Sequence, residues 1–186
     1  MRRFQGKKLT VLMVAVLMAA GLGLLAPGPA AADPYCGLVW GSLAKADAAM
    51  SQAKVTNVRT GQHYCFDRIV MDLNGPVGGY TVRYVPQVVQ GGSGLPISLR
   101  GQAFLQLTVN APAYDDAGQP TYTPGTKDEV SNVGGYQTFR QVAWAGSFEG
   151  YTSLGLGVRA RLPFRVFTLP GPGTGSRLVI DVAHFW

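Results

Sequence analysis

Apolar and polar residues alternate with a period of two along most of the chain from Lys54 onward. The runs are short and rich in Val, Ile, Phe, Tyr and Thr, which is typical of strands that bury one face. The pattern predicts eight strands, at residues 54–60, 64–73, 80–85, 103–110, 138–148, 152–161, 164–169 and 177–184. Strands of this length and spacing predict an all-β domain, built as an antiparallel β-sandwich or barrel.

Turn-forming residues separate the predicted strands. The intervening sequences are "NGPVGG" at 74–79, "GGSGLP" at 91–96, "FEGY" at 148–151 and "PGPGTGS" at 170–176. Glycine supplies backbone conformations that other residues avoid, and proline fixes one dihedral angle of a turn. These connections favour antiparallel neighbours.

Only residues 41–53, "GSLAKADAAMSQA", have the composition of a helix. Ser42 can cap the N-terminus of such a helix, and the alanine-rich body has high helix propensity. We therefore expect one short helix in an N-terminal arm, residues 33–53, followed by the β domain at residues 54–186.

The longest stretch without an apolar run is residues 110–137, where Tyr114, Tyr122 and Tyr136 stand among Pro, Gly and Asp. Loops of this length are usually functional or disordered. The tyrosines have two interpretations. They either present flat faces for stacking on sugar rings or partner side chains, or fold back onto the domain from a solvated hairpin extension.

The first 32 residues have the organisation of a secretory signal peptide. Four basic residues precede an apolar run at residues 9–25, and three alanines follow at 30–32. This order predicts export and cleavage after Ala32, hence a protein of the cell envelope or exterior with no membrane span after cleavage. The run of 17 residues is at the short limit for crossing a bilayer, so an uncleaved anchor is the alternative.

Cleavage changes the charge of the protein. It removes four of the 16 Lys and Arg residues and no acidic residue, leaving 16 − 4 = 12 against 10 Asp and Glu. The net charge falls from +6 to +2. The basicity of the full sequence thus belongs mostly to the leader, and we do not expect nucleic-acid binding.

Two cysteines, Cys36 and Cys65, are present in the predicted mature chain. In an exported protein a lone pair predicts a disulfide, and closing a loop of about 30 residues stabilises a fold by roughly 3 kcal/mol. A redox or metal site is the alternative. No C-x-x-C spacing supports it, and only His63 and His184 are available as imidazole ligands.

No catalytic set is recognisable. The sequence has no G-x-S-x-G elbow, no H-E-x-x-H and no P-loop, and "SLAK" at Ser42 matches S-x-x-K without its companion motifs. Asp67 and Asp72 are five apart, so in one regular strand they point to opposite faces and cannot form a carboxylate dyad. The acids at 115–116 and 128–129 do not have calcium-loop spacing. We predict no enzyme activity, no metal and no cofactor.

The remaining charged residues of the strands allow two interpretations. Asp67, Arg68 and Asp181 can pair with charges on neighbouring strands at the solvent face, each pair contributing about 0.2–1 kcal/mol. Alternatively, Arg159 and Arg161, two apart in "GVRAR", line a groove that holds carboxylates of a ligand such as a stem peptide.

Four phrases, read together, point to a family. They are "CFDRIVMDL", "GGYTVRYV", "AGSFEGYTSLGLGVRARLPFRVF" and "SRLVIDVAH". Their order and spacing resemble the AMIN-like domain of exported actinobacterial proteins over approximately residues 55–184. The resemblance implies a β-sandwich related to the AMIN domains that accompany cell-wall amidases and secretin-type envelope proteins. Those domains bind peptidoglycan or envelope partners and cleave nothing, so the resemblance implies no catalytic residues.

Two functional hypotheses follow. The first is a secreted, non-catalytic module that binds peptidoglycan or a wall-associated protein through Tyr136, Trp144, Tyr151, Arg159 and Arg161. Since no catalytic domain follows His184 in this sequence, we expect it to recruit a partner in trans or to serve another binding role. Trp144 also alternates with Val142, so the core is its other predicted location.

The second hypothesis is a carrier of a small ligand or lipid held between the sheets. Gly155 and Gly157 alternate in "LGLGVR". Glycines in a strand either leave room inside the domain or let another backbone approach closely.

Overall fold

Strands make up almost all the regular structure of residues 34–186, which are the residues that the computed structural model describes. The predicted leader lies outside the described residues. The strands are β1 (Lys45–Asp47), β2 (Val55–Gln62), β3 (Phe66–Leu73), β4 (Tyr80–Val85), β5 (Val88–Val89), β6 (Pro96–Ile97), β7 (Ala103–Val109), β8 (Phe139–Phe148), β9 (Tyr151–Val158), β10 (Phe164–Pro170) and β11 (Ser176–Ala183). A 3₁₀ turn at Tyr35–Gly37 precedes them. The all-β prediction is confirmed.

The strands form two larger sheets and one small one. A five-stranded sheet has the order β1-β4-β7-β9-β8, and a four-stranded sheet has the order β10-β11-β3-β2. Strands β5 and β6 pair with each other alone. Every pairing is antiparallel.

Both larger sheets contribute to one hydrophobic core. Alternate residues of each strand point inward, as the period of two predicts. The five-stranded sheet supplies Leu105, Leu107, Leu154 and Leu156, and the four-stranded sheet supplies Ile69, Met71, Leu178 and Ile180, all fully buried. The opposite face of each sheet is therefore available for other contacts.

The predicted helix at residues 41–53 is absent and that prediction is wrong. Instead, β1 pairs with β4 at the edge of the five-stranded sheet. The segment after β1 lies against two glycines, where a Cβ on Gly79 would be 2.3 Å from the Ala49 carbonyl oxygen. Asn110 donates a hydrogen bond to the same oxygen at 2.8 Å. These tertiary contacts outweigh the helix propensity of the alanines.

The long connection between β7 and β8 is held by backbone hydrogen bonds. Val130 donates to the Val142 carbonyl at 2.8 Å, and Trp144 donates to the Lys127 carbonyl at 2.6 Å. Two of its tyrosines, Tyr122 and Tyr136, pack against the core. The fold-back interpretation of these tyrosines is confirmed.

The predicted disulfide between Cys36 and Cys65 is confirmed, with the two Cα atoms 6.4 Å apart. It joins the N-terminal arm to the residue that precedes β3. His184 donates a backbone hydrogen bond to the Cys65 carbonyl oxygen at 3.0 Å. The arm, β3 and the C-terminus of the chain therefore meet at one end of the four-stranded sheet.

Gly155 and Gly157 lie on the outer face of the five-stranded sheet, because Leu154 and Leu156 between and beside them point into the core. A Cβ on Gly157 would be 1.9 Å from the Arg100 carbonyl oxygen, and one on Gly155 would be 2.9 Å from Val88. The absence of side chains at the two glycines thus lets residues 88–100 pack closely against β9. They do not open a space between the sheets.

We predict that Gly157→Ala destabilises the domain by about 1–3 kcal/mol, since the added methyl group meets a backbone oxygen that cannot move freely. Gly125→Ala is the matched control, because a Cβ there has no neighbour within 4 Å. Urea denaturation of both variants measures the difference. Equal free energies of unfolding would contradict the close approach at Gly157.

Candidate functional site

The three aromatic residues predicted to bind a ligand lie in separate places. Tyr136 lines an open depression of 530 Å³ together with Arg100 and Arg140. Trp144 packs against the core, with its ring centroid 5.6 Å from that of Tyr122. Tyr151 is exposed at the start of β9, and its hydroxyl lies 3.8 Å from the sulfur of Met50.

Arg159 and Arg161 follow the end of β9, so the predicted strand at 152–161 is three residues too long. The Arg159 guanidinium donates to the His184 carbonyl oxygen and lies 5.6 Å from the Phe185 ring centroid. The Arg161 guanidinium donates to the Ser42 carbonyl oxygen at 3.3 Å. Both arginines therefore contact terminal segments of the described chain.

Among the described residues, no hydrogen bond or aromatic contact links Tyr136, Trp144 and Tyr151 to one another or to the two arginines. Tyr136 and Tyr151 line different depressions. Their role in binding stays a prediction.

Asp67 points into the core and does not pair at the solvent face, which corrects one of the two interpretations. Its carboxylate accepts hydrogen bonds from the backbone of Thr138 at 2.6 Å and of Phe139 at 2.9 Å. Nε2 of His184 lies 3.1 Å from its other oxygen. Asp67 and His184 are both buried. This network joins the start of β8 to the start of β3 and to the residue that follows β11.

Asp181 does pair across strands, as the other part of that interpretation expected. In the sheet register it stands between Arg165 on β10 and Arg68 on β3. Arg68 donates to its two oxygens at 2.6 and 2.9 Å, and Arg165 donates through Nε at 2.8 Å. The Asp181 side chain is fully buried, so these pairs are not the solvent-exposed bridges that the sequence suggested.

Aromatic rings surround the two guanidiniums that hold Asp181. The Arg165 guanidinium carbon lies 4.9 Å from the ring centroid of Phe167 and 5.2 Å from that of Phe66. Trp40 of the N-terminal arm contributes a third ring at 5.5 Å. Ring faces attract cations, and they exclude water from the pairs with Asp181. The arm thus covers one end of the outer face of the four-stranded sheet.

The other end of this face has a second pair. Arg59 donates to the two oxygens of Asp72 at 2.9 and 3.0 Å. This hydrogen bonding raises the pKa of Arg59 above its ordinary value. Arg177 stands opposite Asp72 in the register, yet its Nη2 donates to the Pro170 carbonyl at 2.8 Å, and its buried Nε has no hydrogen-bond partner among the described residues.

Positive charge is therefore in excess on the outer face of the four-stranded sheet. Four arginines, at positions 59, 68, 165 and 177, face two carboxylates, Asp72 and Asp181, which gives 4 − 2 = +2. Residues 33–186 as a whole carry 12 − 10 = +2. One face of one sheet thus has an excess equal to the net charge of the predicted mature chain.

Two adjoining depressions occupy this face and share Arg59. The first, which we name the basic depression, measures 170 Å³ and is lined by Arg59, Arg68, Arg177, His63, Thr60 and Gly61 around Val70, Leu169 and Val179. The second, the polar depression, measures 600 Å³ and includes Thr56, Asn57, Asn74, Thr174 and Ser176. Arginines bind carboxylates, and amide and hydroxyl groups bind neutral polar groups such as those of sugars.

A model of the AMIN-like domain family matches residues 53–184, more than two thirds of the 186-residue chain. The chain belongs to the AMIN-like domain family. Domains of this family are generally non-catalytic binding or targeting modules of extracytoplasmic proteins. Neither a search of curated proteins nor one of solved structures finds a match.

Residues 34–186 were searched for metal-binding clusters and membrane-spanning helices. No group of three or more His, Cys, Asp or Glu side chains there is arranged to hold a metal ion. Within the same residues, no helix has the length and apolar character needed to span a bilayer.

Sequence reasoning missed Arg59 and Arg177 of the AMIN-like domain as members of one site. A signal for Arg177 was present, because Arg177, Val179 and Asp181 alternate along β11 and must share a face. What the sequence does not contain is the strand order, which places β2 and β3 beside β11.

We predict that Asp181→Ala in this AMIN-like domain lowers the free energy of unfolding by about 3 kcal/mol or more, because it leaves two partly buried guanidiniums without their carboxylate. Asp72→Ala is the matched control, since the Asp72 side chain is 21% exposed where that of Asp181 is fully buried, and such a partly exposed pair contributes about 1 kcal/mol or less. Chemical denaturation measures both. Similar losses for the two variants would contradict the structural role of Asp181.

Proposed function

We propose that this AMIN-like domain is a secreted, non-catalytic module that binds the cell envelope through the outer face of its four-stranded sheet. The observation that carries the proposal is the coincidence, on that face, of the excess positive charge with the basic and polar depressions. The ligand we propose is peptidoglycan. A wall-associated protein is the other partner consistent with such a surface.

The chemistry of the two depressions suits a polymer made of sugars and short peptides. Hydroxyl and acetamido groups of the sugars need neutral donors and acceptors, which Asn57, Asn74 and Thr174 supply in the polar depression. Carboxylates of the peptides need guanidiniums, which the basic depression supplies. The sharing of Arg59 lets one ligand contact both.

The arrangement of ionisable groups supports a role without catalysis. Asp67 and His184 resemble a base and its orienting partner, but both are buried and the Asp67 carboxylate accepts two backbone hydrogen bonds. Asp181 is fully buried between two guanidiniums. A general base must reach a substrate proton, and neither carboxylate has access to one.

The proposed architecture and location agree with this role. The two larger sheets share one core, which supports a β-sandwich. The disulfide between Cys36 and Cys65 suits an oxidising compartment outside the cytoplasm. We propose a signal peptide at residues 1–32, an arm at 33–53 and the binding domain at 54–186.

The carrier hypothesis has no comparable support. It was based on Gly155 and Gly157. Residues 88–100 pack against both glycines on the outer face of the five-stranded sheet, so the glycines leave no space between the sheets. The earlier candidates Arg159 and Arg161 provide the competing location for the envelope ligand. An experiment on the proposed function therefore compares the two arginine pairs directly.

We predict that residues 33–186 co-sediment saturably with purified peptidoglycan sacculi, and that binding weakens as salt rises because exposed charges are screened. Arg59→Ala/Arg177→Ala should weaken binding about tenfold or more, equivalent to about 1.4 kcal/mol. Arg83→Ala/Lys127→Ala removes the same charge from exposed positions elsewhere and should leave binding within about twofold of the wild type.

Absence of binding at every salt concentration would contradict the proposed function. Weakening by Arg159→Ala/Arg161→Ala, with none from Arg59→Ala/Arg177→Ala, would keep the function and move the site to the terminal segments. Circular dichroism of each variant verifies that a loss of binding does not arise from unfolding.

A further inference from the structure

Arg177 differs from the other arginines on the outer face of the four-stranded sheet, because it has no carboxylate partner among the described residues. Arg68 and Arg165 share Asp181, and Arg59 holds Asp72. Within the described residues the Arg177 guanidinium makes one hydrogen bond, to the Pro170 carbonyl oxygen, and its Nε is buried without a partner there. Native proteins leave few buried donors unsatisfied, so Arg177 is the arginine of this face with hydrogen-bonding capacity left for an acceptor from outside the chain.

The sheet register explains why no side chain of the domain meets this need. Asp72 stands directly opposite Arg177, between β3 and β11. Arg59 donates to both Asp72 oxygens, and Asn57 donates to one of them at 3.3 Å, so this carboxylate is engaged by other donors. Two guanidiniums thus flank a single carboxylate, and the unbalanced charge faces the basic depression.

The floor of the basic depression is apolar. Val70, Leu169 and Val179 line it, and the Val70 and Val179 side chains are nearly or fully excluded from solvent. An apolar floor weakens the screening of an ion pair above it and accepts methyl groups. A ligand that fits both features carries a carboxylate next to a small apolar side chain.

The size of the basic depression restricts the ligand further. It measures 170 Å³. The polar depression beside it measures 600 Å³. The smaller space suits a terminal carboxylate with a methyl side chain, and the larger one suits the rest of a polymer.

We propose that the basic depression is a carboxylate site for the alanine-like C-terminus of a peptide, with Arg177 as the residue that binds it. This inference rests on the proposed function and specifies which part of the wall polymer the basic depression binds, namely the free peptide end. Arg68, fixed by Asp181, is the second guanidinium within reach of the same ligand.

The test is an NMR titration of residues 33–186 with two probes, N-acetyl-D-alanyl-D-alanine and the same dipeptide as its C-terminal amide. We expect the free acid to shift the side-chain Nε–H resonance of Arg177 in a saturable manner. The amide should bind at least tenfold more weakly, because it lacks the charge that the guanidinium pairs with.

Variants assign the effect to Arg177. Arg177→Gln should weaken binding of the free-acid dipeptide at least tenfold. Arg177→Lys should restore part of this affinity, because lysine keeps the charge but not the planar guanidinium. Arg83→Gln, at an exposed position on the other sheet, should change nothing. Thermal unfolding of each variant excludes a loss caused by misfolding, and the comparison of acid with amide needs no variant.

The outcomes separate this inference from the proposed function. Equal binding of acid and amide, or no binding of either while sacculi still co-sediment, would overturn the carboxylate site and leave the envelope function in place. Tight binding of a glycan chain stripped of its peptides, with an unchanged Arg177 resonance, would also overturn it. If neither the dipeptide nor the sacculi bind, both proposals are overturned.

Discussion

The carboxylate of Asp181, shared by Arg68 and Arg165, is the interaction on which the outer face of the four-stranded sheet depends. Burying a lone carboxylate costs several kcal/mol, and only close, well-directed donors offset that cost. Here two guanidiniums provide them at 2.6–2.9 Å, with aromatic rings on either side. Because one negative charge serves two positive ones, the same interaction that fixes the face leaves it cationic.

The two faces of this sheet have different tasks, and adjacent residues of β3 illustrate the division. Asp67 points inward and binds the backbone at the start of β8, whereas Arg68 points outward to Asp181. The inner hydrogen bonds hold the start of β8 against the core, and the outer ion pair fixes the side chains of the outer face. The adjacent charges of Asp67 and Arg68 therefore belong to two separate structural networks.

Sequence periodicity predicted most of this fold, because a strand that buries one face must alternate. The strand at 80–85 agrees with β4 at both ends. The predicted helix at 41–53 does not form, because a hydrogen bond from Asn110 and the close packing of Gly79 fix the conformation of that segment. Both residues are distant from it in the sequence. The arginines of the outer face could not be grouped from the sequence for a similar reason. Arg159 and Arg161 are neighbours in the sequence, whereas Arg59, Arg68 and Arg177 become neighbours only through the strand order.

The most direct test of the outer face as the binding surface is a map of amide and arginine side-chain NMR shifts on adding soluble, enzymatically released peptidoglycan fragments. We predict that the largest shifts lie on outward-facing residues of β2, β3 and β11, with Arg59, Arg68 and Arg177 among them. Shifts concentrated instead at the depression beside Tyr136, or at Arg159 and Arg161, would contradict it.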